Sequence, residues 1–311
     1  MWVVNPYTDG TNVDLIEDRV KKGKCCIVNS MSLCSDVTMG IHAIETLFLL
    51  YHSLFIAVVL YNAQAWSNLT KTDLKALQTI QLRFLKRTFH APSSTSNTLT
   101  FLETGILPIR YEIHIKQLVF QHHIITLEDD DIVRITYEEQ MKYDAPNWAN
   151  EISKLKKEYS IDESDTEIGG MGKKRWKRIV KKKVKEKALE DLNKEAQSQK
   201  QASKLIPYDK LAKQEYMTTL SPTQARKVFH IRTGTIDLRG VRQYTYGEID
   251  TCRLCSAEKE TVEHVVNRCP MVDRVSQVES VLSRNCEEQR EMAKRCAQFQ
   301  EKVDATDSEV G

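Results

Sequence analysis

Cys252-Arg-Leu-Cys255-Ser-Ala-Glu-Lys-Glu-Thr-Val-Glu-His264-Val-Val-Asn-Arg-Cys269-Pro270 spaces four metal-binding side chains as C-x2-C-x8-H-x4-C. Two cysteines separated by two residues can face one ion from a tight turn. A histidine and a cysteine on a following helix can complete the tetrahedron. Three thiolates and one imidazole suit Zn2+, and four protein ligands leave no position for a reactive water. Cys252, Cys255, His264 and Cys269 therefore read as a structural Zn2+ site that holds together a segment too small to bury its own core. The bland alternative, buried cysteines beside a surface histidine, requires four suitable spacings within one short run by coincidence. Glu258, Lys259 and Glu260 make the intervening loop polar, and Val262, Val265 and Val266 give the following helix an apolar side. Pro270 stops that helix at or just before Cys269, because proline disfavours helix in its predecessor.

Downstream, Met271, Val275, Val278 and Leu282 form one apolar stripe, and Met292, Cys296, Phe299 and Val303 repeat the spacing. Both predict helices that pair with a partner or fold back, followed by a disordered tail over 304–311. Upstream, Thr233–Gly240 is rich in turn residues, and 208–232 has helical character with a break at Ser221-Pro222, where Ser221 can cap a second helix. Lys173 to Lys187 holds ten basic residues against one glutamate. Trp176, Ile179, Val180, Val184, Ala188 and Leu192 keep an apolar stripe through it, which predicts a basic amphipathic helix. Lys173, Lys174, Arg175, Lys177, Arg178, Lys181, Lys182 and Lys183 are candidate phosphate contacts, and Trp176 is either a platform for a base or a packed core residue. A solvated helix face or a nuclear import signal is the alternative reading of the same charge. Between Asp129 and Gly172 the apolar pattern dissolves into acidic residues, as expected of a solvated linker.

The first third is more apolar. Thr46 to Thr70 carries no charged residue, but His52, Ser53, Asn62, Gln64 and Asn68 interrupt the run. A membrane span needs about 20 predominantly apolar residues. A long or broken helix over 41–66, buried within a helical domain, fits better. Thr70 and Asp73 are spaced as a helix start, and Leu74, Leu77, Ile80, Phe84 and Leu85 recur at helical spacing behind them. Lys71, Lys75, Arg83, Lys86 and Arg87 mark the exposed side. Ala91–Asn97 is a loop by composition. Phe101–Gly105 is a helical turn ended by glycine, and Ile109, Ile113, Phe120, Ile124 and Leu127 give an amphipathic helix after Pro108. These helices predict a bundle over 36–128. Arg19-Val-Lys-Lys-Gly-Lys24 reads as a short basic turn inside a weakly periodic segment 1–35.

The 311 residues have room for two modest domains or one large one, and 41% hydrophobic and 28% charged content with few glycines favours a mainly α fold. The linear division expected is an N-terminal remnant 1–35, the bundle 36–128, the acidic linker and basic helix 129–205, a helical connection 206–250 and the metal segment with its helices 251–303. The net charge of +2 hides the local basic run. Eight cysteines without a secretory leader suit a reducing compartment, nucleus or cytoplasm, with Cys25, Cys26, Cys34, Cys286 and Cys296 as ordinary thiols. Leu127-Glu-Asp-Asp-Asp131 lacks the strand hairpin that two-metal chemistry needs, and reads as helix-end charge. No nucleophile motif, Gly-rich phosphate loop or dinucleotide fingerprint is present.

Several segments resemble one family in their order. They are Leu60-Tyr-Asn-Ala-Gln-Ala-Trp66, Leu77-Gln-Thr-Ile-Gln-Leu-Arg-Phe-Leu-Lys86, Pro92-Ser-Ser-Thr95, Leu102-Glu-Thr-Gly-Ile-Leu-Pro108 and Ala225-Arg-Lys-Val-Phe-His-Ile-Arg232, with the Cys252–Cys269 run after them. Together, over about residues 19–270, they resemble the thumb, connecting helices and C-terminal zinc segment of non-LTR retrotransposon reverse transcriptases. The resemblance implies a thumb-like helical bundle that grips RNA or DNA, with Lys71, Lys75, Arg83, Lys86 and Arg87 as phosphate contacts, and a zinc segment that positions nucleic acid. The family's palm aspartates, which follow an aromatic residue and an alanine, have no counterpart here. The resemblance therefore implies a non-catalytic chain. The alternatives are an interaction or scaffold remnant, and a part that acts with a polymerase core supplied elsewhere.

Overall fold

A computed structural model describes residues 12–35, 43–242, 247, 249–273 and 278–310. The chain is mainly helical, and among the described residues the only β pairing is an isolated bridge between Thr251 and Lys259. The helices are α1 (Val13–Ser35), α2 (Ala43–Leu50), α3 (Ile56–Val59), α4 (Lys71–Thr88), α5 (Asn97–Thr104), α6 (Ile109–Ile125), α7 (Ile132–Lys142), α8 (Trp148–Glu158), α9 (Asp165–Gly170), α10 (Lys173–Gln197), α11 (Tyr216–Thr219), α12 (Pro222–Thr233) and α13 (Cys286–Val310). A π turn at Tyr51–Phe55 joins α2 to α3, so the charge-free run is a broken helix. Among the described residues no helix is long and apolar enough to cross a membrane.

The chain forms two compact units, each built from separated stretches, so 36–128 is not one bundle. The first takes its residues from Met1–Ser30, Leu50–Leu82 and Leu107–Asp191. Its axis is α6, whose Ile109, Ile113, Leu118 and Ile124 are buried. The polar residues of α6 are used as ties. Gln117 Nε2 donates to Trp66 O at 2.8 Å, and Gln121 Nε2 donates to Tyr137 Oη at 2.9 Å and to Asp165 at 3.0 Å. His122 Nε2 lies 2.7 Å from Met171 O. Three of these four contacts hold the segment expected to be a solvated linker. Residues 132–170 instead form α7, α8 and α9, each opened by a side-chain cap from Asp131, Asn147 or Ser164. Their anchors are Tyr137, Ile152, Leu155, Tyr159, Ile161 and Ile168, all buried but dispersed among acidic residues. Asp131 thus caps α7, while Asp129 pairs with Arg134 at 2.5 Å.

The basic turn at residues 19–24 is also helix. Gly23 lies within α1, where a Cβ would meet Val59 Cγ2 at 3.0 Å and Ile80 Cγ1 at 3.1 Å. Glycine there permits close helix approach, and a turn reading misses that role.

The second unit draws on Met31–Leu49, Arg83–Ile106 and Leu192–Gly311. The α5 and α12 ends both close on glycines in the left-handed region, Gly105 (φ 68°) and Gly234 (φ 68°), and Ser221 caps α12 in a capping box with Gln224. The rings of Phe89 and Phe229 stack with centroids 4.2 Å apart. The charged centre of the unit is Glu103 on α5 and Arg232 on α12, both fully buried. Arg232 Nε donates to both Glu103 oxygens at 2.9 Å. Tyr216 Oη donates to Glu103 at 2.9 Å, and Tyr208 Oη donates to the same carboxylate. Arg232 Nη1 donates to Leu282 O at 3.1 Å and Ser283 O at 3.2 Å. Burial opposes the Arg232 charge, but the Glu103 carboxylate, with Tyr208 and Tyr216 beside it, holds the guanidinium pKa above its ordinary value.

The stripe at Met292, Cys296, Phe299 and Val303 is buried on α13, which folds back within this unit. The tail expected over 304–311 is helical to Val310, because α13 continues through it. The Met271–Leu282 stripe does not become a helix among the described residues. Val272 and Val278 are buried, Met271 is exposed and Val275 lies outside the described residues.

Removing one member of a fully buried ion pair leaves an uncompensated charge and costs about 3–5 kcal/mol. Glu103→Gln should therefore lower the unfolding free energy by about that amount in a denaturant titration. The double variant Glu103→Met with Arg232→Met should recover much of the loss, which equal losses in single and double variants would refute.

Candidate metal centre and basic faces

The ligand run forms a tight knuckle in the second unit. Cys252 N donates to Glu258 O at 2.8 Å, and Ser256 N donates to Cys252 O at 2.9 Å, which folds the first two cysteines onto one turn. Ser256 takes a positive φ of 55° to complete it. A π turn, His264–Arg268, then presents the imidazole, and Cys269 N donates to His264 O at 2.7 Å as the chain leaves it. Val265 and Val266 on this turn enter an apolar cluster with Ile231, Val278, Met292, Cys296 and Phe299. Arg295 Nη1 on α13 donates to Val266 O at 2.7 Å, which ties that helix to the back of the knuckle. The segment thus borrows its core from α12 and α13 rather than lacking one.

One donor atom from each of Cys252, Cys255, His264 and Cys269 lies within 4.8 Å of all the others, close enough to hold a metal ion. Cys252 Sγ and Cys269 Sγ are 3.9 Å apart, and Cys255 Sγ and His264 Nε2 are 3.3 Å apart. Tetrahedral ligands with metal–sulfur bonds of about 2.3 Å and metal–nitrogen bonds of about 2.0–2.1 Å lie about 3.8 Å (S–S) and about 3.5 Å (S–N) from one another. The spacing fits that geometry. His264 faces the cluster through Nε2, while Nδ1 lies 3.3 Å from Glu258 Oε2. A carboxylate on the far nitrogen fixes ring orientation and raises the basicity of the ligating nitrogen. The thiols sit in unlike surroundings. Burial works against the Cys255 thiolate, but the backbone N–H groups of Ala257 and Glu258 and the Cys252 thiol hold its pKa below the ordinary value. Burial pushes Cys269 up to about 12, with Cys252 and Cys255 adding to it. Four protein donors would fill a tetrahedral sphere around an ion held there.

Glu260, expected in a polar loop, is fully buried. It accepts from Arg239 N at 2.9 Å and Arg253 N at 2.8 Å, and pairs with the Arg253 guanidinium at 2.7 Å. Gly240 sits against it, since a Cβ there would meet Glu260 O at 2.7 Å. This support of the knuckle carries no sequence signal, because Glu258 and Glu260 look alike in the run.

The basic residues divide by exposure. On α10, Trp176, Val180, Val184 and Ala188 are buried, while Lys173, Lys174, Arg175, Lys177, Arg178, Lys181 and Lys182 are exposed and Lys183 is half-buried. Trp176 is not a base platform: it is fully buried and Nε1 donates to Leu118 O at 2.8 Å. Lys71, Lys75, Arg83 and Arg87 are exposed on α4. Lys86 is not a phosphate contact. It is buried, and Nζ donates to Ser93 O at 2.7 Å and Asn97 Oδ1 at 2.8 Å, tying down the 91–97 loop. The helical spacing that placed Lys86 outside is overridden by that loop folding over it.

No family model, curated protein or solved structure matches the chain.

Loss of the carboxylate behind a ligating histidine typically costs about 10- to 100-fold in metal affinity. Glu258→Gln should weaken Zn2+ binding by about that factor in competition with a chromophoric chelator. An unchanged affinity would show that Glu258 does not orient His264.

Proposed function

We propose that this chain is a non-catalytic nucleic-acid-binding module whose Cys252–Cys269 knuckle is closed by a structural Zn2+. The three-thiol, one-imidazole donor set and its spacing support zinc over harder cations. The observation that carries the binding reading is the exposed face of α10. Between Lys173 and Lys185 it has no acidic residue, and among the described residues its one ion pair across that span, Lys182 with Glu186, is long at 3.9 Å. Its field reaches inward: after burial, Lys181 and Lys185 are the causes that lower the His52 pKa. A buried apolar stripe fixes the helix, so the cations are presented on a firm support rather than a flexible tail. Phosphates suit such a face because each one neutralised releases condensed counterions. The resemblance to the thumb and zinc region of non-LTR retrotransposon reverse transcriptases points the same way, with RNA preferred over DNA on that ground alone.

Each neutralised phosphate contributes about 0.7–0.9 to the slope of log affinity against log salt. The triple variant Lys177→Gln, Lys181→Gln, Lys182→Gln should flatten the slope for an RNA stem-loop by about 2–3. A wild-type affinity indifferent to salt would contradict the reading.

A further inference from the structure

A cavity of about 290 Å³ opens in the first unit between α6 and the first turns of α10. Its apolar lining is Ile115 of α6 with Val119 and Phe120 one turn further along the same helix. Lys116 of α6 and Lys173 and Lys177 of α10 line it as well, and none of the three is in a salt bridge among the described residues. Gln64 and His123 complete it. No carboxylate lines the cavity, although Glu112 lies one turn before Lys116 on α6 and feels its charge. Phe120 is half-buried and packs T-shaped against Trp148, with ring centroids 5.9 Å apart. Trp148 is in turn fixed by donating Nε1 to Gln64 O at 3.0 Å. The site thus joins a positioned aromatic ring, an amide, an imidazole and a one-sign rim.

We propose that this cavity receives one unstacked base of a single-stranded nucleic acid, with its flanking phosphates on Lys173 and Lys177. The inference rests on the phosphate-binding reading of α10 and adds what that face prefers. Charge complementarity selects an anionic occupant. The volume lies at the lower end of ligand pockets, and suits one base rather than an extended acyl chain. Gln64 and His123 offer hydrogen-bonding partners that a base edge can use and an acyl chain cannot. A duplex keeps its bases stacked and presents only its phosphates, so strand state should separate this site from the basic face as a whole.

The test titrates the full chain with a fluorescein-labelled single-stranded RNA dodecamer and with the same dodecamer paired to its complement, at equal salt. The single strand should bind about 10-fold or more tightly than the duplex. Val119→Trp, which fills the cavity, should remove that preference and leave the salt slope intact. Irradiation of a 5-iodouridine dodecamer with the wild-type chain should place the adduct on Phe120 or His123, and this arm does not depend on the variant folding. Equal, salt-dependent binding of both strands, with adducts elsewhere, would overturn the base pocket and leave the phosphate-binding reading standing. Salt-indifferent or absent binding of both would overturn the two together. Sedimentation with phosphatidylserine vesicles without a single-strand preference would also overturn it, in favour of an acyl occupant.

Discussion

Three sulfurs and one imidazole nitrogen brought within 4.8 Å are the constraint on which the C-terminal part of this chain depends. Among the described residues, the segment they close between Thr233 and Cys286 has little regular secondary structure beyond the π turn at His264–Arg268 and the Thr251–Lys259 bridge. Each supporting feature is arranged around that cluster. The turn at Cys252–Ser256 shapes two ligands, Glu258 backs the third, and the π turn leads directly into the fourth. Val265 and Val266, between the last two ligands, seat the knuckle on α12 and α13. A metal ion held by these four donors would convert its binding free energy into folding free energy of this segment.

The second unit has a polar centre as well as this staple. Glu103, Arg232, Tyr208 and Tyr216 form a satisfied buried network, and Arg232 extends it to the carbonyls at Leu282 and Ser283. That reach fixes the stretch just before α13, the helix that covers the knuckle. Buried ion pairs contribute little net stability compared with apolar packing. Here the pair's role is to set where three chain segments meet, a role the geometry supports because each side-chain nitrogen and oxygen of the pair has a partner. The first unit solves a similar problem with neutral groups, running Gln117, Gln121 and His122 of α6 to backbone and side-chain partners.

Much of this was legible in the sequence where apolar spacing and end signals agree. Thr70 and Asp73 bond reciprocally at 2.9 and 3.1 Å, Gly105 closes α5, Ser221 caps α12, and the α10 and α13 stripes are buried as their spacing implies. The grouping of Cys252, Cys255, His264 and Cys269 was legible because metal geometry dictates short local spacings, and the four side chains do come together. What escaped depends on distant partners. Glu103 and Arg232 are 129 residues apart, and nothing local marks either as buried. Lys86 and Glu260 look like surface charges until their loops are folded. Residues 132–170 hide short helices because their few anchors stand among acids, though the caps Asp131, Asn147 and Ser164 were there to be read. Gly23 broke the pattern of α1 for a reason only packing supplies.

A metal ion held by Cys252, Cys255, His264 and Cys269 would organise residues 249–273. The most direct measurement is elemental analysis of the purified full chain combined with hydrogen exchange at the Cys252, Ser256 and Cys269 amides, for wild type and for Cys252→Ser with Cys255→Ser. The account predicts one zinc per wild-type chain, none in the variant, and loss of protection at those amides with the metal. A chain that carries no metal, yet protects the same three amides equally in both proteins, would contradict it.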